Sequence, residues 1–176
     1  MKKISLAIIF SYFIMSGFLP TSSFAIMKGL STEELTNTSD IVIEGEVENT
    51  EAMWSKDGST IFTRTDIVIQ TIIRGVPSQT KIKVEYQGGE VGEIGLKVSD
   101  QPLLLKGEKV ILFLKSEKSK KDGDAYTIVG KGQGKYLIDA NGIARKRGFS
   151  VAFGQENIDN NIPEDELIKK IEKIKQ

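Results

Sequence analysis

The chain contains neither histidine nor cysteine, so the chemistry open to it is narrow from the outset. A Ser-His-Asp or Cys-His relay cannot be assembled, nor can a zinc site of the usual nitrogen and sulfur ligands. Ser78-Gln79-Thr80-Lys81 has the Ser-x-x-Lys spacing of serine acyltransferases, whose serine and lysine project from one helical face. Here Pro77 precedes the motif and a strand pattern begins at Lys81, so the match is read as coincidence. Paired carboxylates could serve a glycosidase, but two acids must then converge in a cleft, and nearly all the acids here fall on outward strand positions or in turns. Asp122-Gly123-Asp124 lacks the longer acidic series and closing glutamate of a calcium loop and reads as a turn.

Two glycine-rich stretches resemble phosphate cradles. Gly130-Lys131-Gly132-Gln133-Gly134-Lys135 is followed by Tyr136 and a strand pattern, where a Walker loop needs Ser or Thr and a helix. Val84-Glu85-Tyr86-Gln87-Gly88-Gly89-Glu90-Val91-Gly92-Glu93-Ile94-Gly95 also precedes no helical pattern, and its Glu90 and Glu93 would repel a phosphate. The first stretch is expected to form a bulge or sharp bend where one strand leaves a barrel and the next begins. The second is expected to end a strand and open a long irregular connection. Trp54, the only tryptophan, precedes a hairpin signal at Asp57-Gly58. It either packs across the strands against Ile61 or Phe62 or stands out as a ring that anchors a partner or stacks on a sugar. None of these stretches calls for a cofactor or a metal.

The elements that must position these residues follow from periodicity. Ser31-Thr32-Glu33-Glu34 has the form of a capping box and predicts a short helix over residues 32–38. Residues 41–48 alternate, with Ile43, Gly45 and Val47 on one face and three glutamates on the other. Residues 60–73 put Ile61, Thr63, Thr65, Ile67, Ile69 and Ile73 on one face. Further strands are expected at 81–86, at 110–114, whose unbroken apolar run is that of a strand buried on both faces or at a barrel corner, at 126–129, at 135–139 and at 143–145. Asn141-Gly142 closes the last hairpin, and Arg145-Lys146-Arg147 beside it reads as a solvated edge. Pro163 opens a helix with acids in its first turn, and Leu167, Ile168, Ile171 and Ile174 follow at helical spacing.

The start of the chain has a different character. Lys2 and Lys3 precede an apolar run from Leu6 to Leu19, and Ser23 and Ala25 occupy the −3 and −1 positions of a signal peptidase site. The run is shorter than the ~20 residues of a spanning helix. Residues 1–25 are therefore expected to be a secretory signal cleaved after Ala25, leaving no stable membrane anchor. With no cysteine there is no lipoprotein modification and no disulfide. Removing 25 residues from 176 leaves 151, enough for one core-bearing domain. Loss of two lysines leaves 22 basic against 24 acidic residues, a net charge of −2, without the basic footprint of a nucleic-acid binder. The expected organisation is a β-barrel over 26–148, a loop over 149–162 and a C-terminal amphipathic helix over 163–176. The fold class is all-β, a small OB-like Greek-key barrel with a short N-terminal helix.

These motifs together resemble a group of uncharacterised exported bacterial proteins. The resemblance rests on Leu35, Ser39-Asp40, Val42 and Gly45-Glu46-Val47, then Gly88-Gly89-Glu90-Val91-Gly92, Val98 with Pro102, Gly107-Glu108 with Phe113-Leu114, and Val129-Gly130 with Gln133-Gly134-Lys135. More distantly the chain is similar to the netrin-like OB barrel of the tissue inhibitors of metalloproteinases. That resemblance implies architecture only, because those inhibitors chelate zinc through an N-terminal cysteine and this chain has none. The expected role is a non-catalytic binding module of the cell envelope or medium, secreted or periplasmic, acting on another exported protein such as a protease or on an envelope component. Its expected contact residues are Trp54, Tyr86, Gly88, Gly89, Gly92, Pro102, Gln133 and Lys135. A carboxylate-dependent hydrolase or carbohydrate-active protein, and a structural envelope protein, are the alternatives.

Overall fold

A computed structural model of the chain describes residues 27–117 and 125–174. The secretory signal read over 1–25 and the Asp122-Gly123-Asp124 turn lie outside them.

Helix α1 (Thr32–Thr38) starts where the capping box predicts. Ser31 Oγ accepts from the Glu34 amide at 3.1 Å, and Glu34 Oε2 accepts from the Ser31 amide at 2.9 Å. Two orphan donors of the first turn are thereby satisfied. The chain then enters β1 (Ile41–Trp54), which forms a long antiparallel ribbon with β2 (Ile61–Arg74). β3 (Lys81–Gln87) pairs antiparallel with β2. The glycine stretch departs from the expected irregular connection: Gly89–Val91 (β4) and Ile94–Leu96 (β5) pair as a two-stranded hairpin about Gly92, whose φ is +63°. Glycine supplies that left-handed backbone without a Cβ clash, which is why the turn closes in two residues.

β6 (Lys109–Glu117) closes the architecture. Along one edge it pairs with β1, from Ile41↔Leu114 to Glu46↔Lys109. Its other edge is shared, because β8 (Lys135–Ile138) takes 110–112 and β7 (Ala125–Ile128) takes 114–117. Between β7 and β8 the chain makes a 3₁₀ turn at Lys131–Gly134, the sharp bend expected of that glycine-rich stretch. A Cβ on Gly134 would lie 2.1 Å from the Val129 carbonyl oxygen, so the bend admits no side chain there. β7 also pairs with β3 in parallel, Lys83↔Ala125 and Val84↔Tyr126. The pairings β1-β2-β3-β7-β6 thus return to β1, and the sheet continues from β6 through β8, β9 (Ile143–Arg145) and β10 (Ile162–Pro163). The protein is mostly β, a barrel-like sheet with two short helices.

Two cores explain the unbroken apolar run of β6. Val110, Leu112 and Leu114 point into the ring with Ile43, Val47, Ile67, Ile82, Val84 and Tyr126. Ile111 and Phe113 point outward into a second core with Leu35, Val42, Tyr136, Leu167 and Ile171. Helix α2 (Glu164–Glu172) supplies the last two, one turn apart and both fully buried. Each such side chain contributes about 1.5–3 kcal/mol by leaving water; Phe113→Ala would remove contacts worth about 3–5 kcal/mol. Ile73, expected on the same face as Ile69, instead packs against the second core while Ile69 packs against the first. Register shifts in the β1–β2 ladder between Val42 and Ile43 and between Glu44 and Gly45 accompany this change of side.

Three further expectations are corrected. Glu44, placed on the outward face, is buried, because Lys109 Nζ reaches it at 2.9 Å and bridges it to Glu164 of α2 at 2.8 Å. Residues 149–162 are more than a loop: they carry a 3₁₀ turn at Gln155–Asn157, and Ile162 joins the sheet opposite Ala144. Lys146, read as part of a solvated basic edge, is only 4% exposed, with its amine over the Tyr136 ring and its backbone held by Asn160. Arg147 beside it is exposed.

Candidate functional site

The β1–β2 ribbon outruns its neighbour. Pairing of β1 with β6 stops at Glu46, whereas pairing with β2 continues to Trp54↔Ile61. Beyond Glu46 no strand among the described residues pairs with that edge of β1, and the connection from β5 to β6 takes its place. The Val47 amide donates to the Glu108 carbonyl at 3.0 Å, the Gly107 amide donates to the Val47 carbonyl at 2.8 Å, and Thr50 Oγ1 donates to the Leu104 carbonyl at 3.2 Å. Backbone groups that a neighbouring strand would have satisfied are thus satisfied by a loop.

Leu104 is fully buried and belongs to the barrel core, so it plugs this end of the ring. Its amide donates to the Tyr86 hydroxyl at 3.4 Å. Pro102 is buried beside it. Leu103 and Leu105, on either side of the plug, are 64% and 52% exposed. An extended backbone sends successive side chains to opposite sides, so burying the middle leucine turns its neighbours outward. Lys135 holds the segment in this register: its Nζ donates to the Leu103 carbonyl and pairs with Glu108 Oε2 at 2.6 Å, while that same oxygen accepts from the Leu105 amide at 3.0 Å.

The β4–β5 hairpin lies on the ribbon tip, against β1 and β2. Gly88 donates its amide to the Ile61 carbonyl at 2.9 Å and accepts from Thr63 Oγ1 at 2.6 Å. A Cβ on Gly89 would lie 2.6 Å from Thr63 Oγ1 and 2.7 Å from Ala52 Cβ, so the hairpin can sit this close only because Gly89 has no side chain. Trp54 ends the same face. It is 42% exposed, whereas its cross-strand partner Ile61 is buried. The loop beyond it is tied by Asp57, whose Oδ1 accepts from Ser55 Oγ at 2.6 Å, Ser59 Oγ at 2.8 Å and the Ser59 amide at 3.1 Å. The Ser55 hydroxyl, followed by the Ser59 amide, holds the Asp57 carboxyl down to about 2.

Of the residues expected to make contacts, Trp54, Gly88, Gly89 and Gly92 gather at the ribbon tip and its hairpin, and Tyr86, Pro102 and Lys135 gather around the plug. Only Trp54 and Gly92 among these are well exposed; the others shape the surface from beneath. Gln133 lies apart. Its Oε1 accepts from the Leu30 amide at 2.7 Å and its Nε2 donates to the Lys28 carbonyl at 2.9 Å, so it pins the N-terminal segment. Sequence reasoning missed Leu103 and Leu105, which lie just beyond the Gly88-to-Pro102 stretch. The run Leu103-Leu104-Leu105 after Pro102 was the available signal, an apolar triplet inside a connection that no strand or helix pattern absorbs.

An open cleft of about 910 Å³ is lined by Met27, Ser99, Asp100, Lys131, Phe149 and Ser150. Asp100 braces its walls: its carbonyl accepts from the Gly132 amide at 2.8 Å and its Oδ1 from the Ser150 amide at 2.9 Å. Among the described residues no three acidic side chains converge as a metal ion would require. Glu44 and Glu164, two acids that share a partner, are joined by Lys109. No model of a known protein family matches the chain, and no curated protein matches it.

Proposed function

We propose that this chain is an exported, non-catalytic binding module built on an OB-type Greek-key barrel, and that it engages another exported protein or an envelope component. A secreted protease is one such partner. The strand order β1-β2-β3-β7-β6, closed by a parallel β3–β7 pair, supports the OB reading, in which the ligand face lies about the first hairpin and strands two and three. The observation that carries the binding role is the barrel end itself. Trp54, Ile94, Leu103 and Leu105 are all between 42% and 64% exposed, on backbone anchored by side-chain and main-chain hydrogen bonds. Rigid apolar groups, a tryptophan among them, are what protein interfaces use as anchors.

Site-specific photo-cross-linking tests this. A cross-linking residue at Trp54 or Leu103 is expected to capture one defined partner in the producing cells. At Val76, 91% exposed in the turn at the opposite end of β2, it is expected to capture none. Trp54→Ala combined with Leu103→Ser should abolish recovery of that partner by the purified protein. Equal capture from all three positions, or from none, would sink the proposal. The N-terminal sequence of the exported protein, expected to begin at Ile26, tests the address.

A further inference from the structure

Lys146 follows β9 and buries its amine where the outer barrel wall meets residues 158–161 and α2. Among the described residues its Nζ has no hydrogen-bond partner, and it is sealed from solvent. It lies 4.5 Å from the centroid of the Tyr136 ring, a contact that favours a cation but replaces none of its three lost hydrogen bonds to water. The charged and polar groups around it come from every element packed there. β8 contributes Tyr136, residues 158–161 contribute Asp159 and Asn160, and α2 contributes Lys170, while Thr32 of α1 joins the set through the Tyr136 hydroxyl and Asp159.

The acid in this set is already engaged. Both oxygens of Asp159 accept from Lys170 Nζ at 2.7 Å, and Oδ2 also accepts from Thr32 Oγ1 at 2.6 Å. Its backbone carbonyl accepts from the Tyr136 hydroxyl at 3.1 Å. Asn160 spends its amide on the Lys146 backbone, accepting from the Lys146 amide at 2.8 Å and donating to the Lys146 carbonyl at 3.3 Å. A second ammonium here would share one satisfied carboxylate with Lys170 and be repelled by it. The closed arrangement therefore suits a neutral amine, and a protonated one needs water. Burial pushes the Lys146 ammonium down to about 7; Asp159 opposes that shift and Lys170 adds to it.

We infer that Lys146 is a proton-operated latch: uptake of one proton at Nζ loosens residues 158–172 from the outer barrel wall. These residues are consecutive and share their anchors, so they move together. Asn160 holds the Lys146 backbone, Asp159 holds Lys170, and Leu167 and Ile171 fill the second core. Their release bares the outward side chains Ile111, Phe113 and Tyr136, an apolar wall that the closed state hides. Because the chain has no histidine, no other side-chain type ordinarily titrates near neutrality. Lys146 thus stands out as the group through which a fall in pH from the alkaline side to neutrality acts on the fold, its effect levelling off below about pH 7.

Amide hydrogen exchange on the whole mature chain, corrected for the intrinsic pH dependence of exchange, tests the latch. With the amine titrating near 7 when closed and near 10.5 when released, protection of the Leu167 and Ile171 amides should fall about thirtyfold between about pH 8.5 and about pH 5.5. Barrel amides such as that of Ile43 should keep theirs. Lys146→Met should hold full protection at both pH values, and Lys146→Arg should be poorly protected at both. A flat wild-type profile, or the same fall in Lys146→Met, overturns the latch. The methionine variant carries the test even if the arginine variant does not fold.

Discussion

Gln133 Oε1 accepts a hydrogen bond from the Leu30 amide at 2.7 Å, while its Nε2 donates to the Lys28 carbonyl at 2.9 Å. One buried side chain thereby satisfies two main-chain groups more than a hundred residues away and fixes the entry of the chain against the barrel. Gln133→Ala leaves both groups unpaired in a partly buried site, so a loss of about 2–4 kcal/mol is expected. Urea unfolding at constant m-value measures it; a change below about 0.5 kcal/mol would show that water replaces the amide freely.

Leu104 is the plug of the barrel end. Truncation to alanine leaves a cavity at the ring mouth and should cost about 2–5 kcal/mol. Leu103→Ala and Leu105→Ala, on exposed side chains of the same segment, should each stay within about 0.5 kcal/mol of wild type. Thermal or urea unfolding of the three variants separates the plug from the surface it presents. Similar losses in all three would mean that the outward leucines are part of the core.

Two glycines of one hairpin should respond differently. Gly89→Ala forces a Cβ to within 2.6 Å of Thr63 Oγ1 and 2.7 Å of Ala52 Cβ, at a φ of +131°, so the hairpin must lift off the ribbon at a cost of about 2 kcal/mol or more. Gly92→Ala meets nothing within 4 Å and bears only the strain of a left-handed backbone, about 1 kcal/mol. Unfolding midpoints rank them, and amide exchange at Gly88, whose amide donates to the Ile61 carbonyl, reports the lifting directly.

Lys109 ties β6 to α2 through Glu164 and to β1 through Glu44. Those two acids, Glu164 first, hold its pKa above the ordinary 10.5. A raised lysine contributes stability that is complete below the unfolded value and fades as the pH climbs through the folded one. Wild type should therefore lose this contribution only above about pH 10.5. Because the side chain is 40% exposed, solvent screens the pairs, and Lys109→Met should cost about 1 kcal/mol at neutral pH with a shallower alkaline decline. Stability measured against pH in both proteins tests the sign; a steeper decline in the variant contradicts it.

Much of the architecture was legible because its signals act over a few residues. Ser31 and Glu34 start α1 through hydrogen bonds within one turn. Alternation through Ile61, Thr63, Thr65 and Ile67 marks a half-buried strand without reference to its partner, and the unbroken apolar run of β6 marks a strand buried on both faces or at a barrel corner, of which the structure shows the first. The β4–β5 hairpin was missed because three-residue strands are too short for periodicity to register. Trp54 and the surrounding glycines were legible as a candidate surface. The leucines that complete it were not, since outward and inward positions in 103–105 depend on which one fills the ring.

The sequence by itself determined the local elements, the absence of histidine and cysteine chemistry, and the positions where only glycine permits the turn or close approach. Tertiary structure alone decided ring closure, the exposed barrel end and the burial of Lys146. The pairing of Ile41 with Leu114 joins strands more than seventy residues apart, chosen because one face of each must share a core. Lys146, by contrast, stands between two arginines in the pattern of a solvated edge. It is buried only because residues 158–161 and α2, folding back to cover Phe113 and Tyr136, also cover the amine.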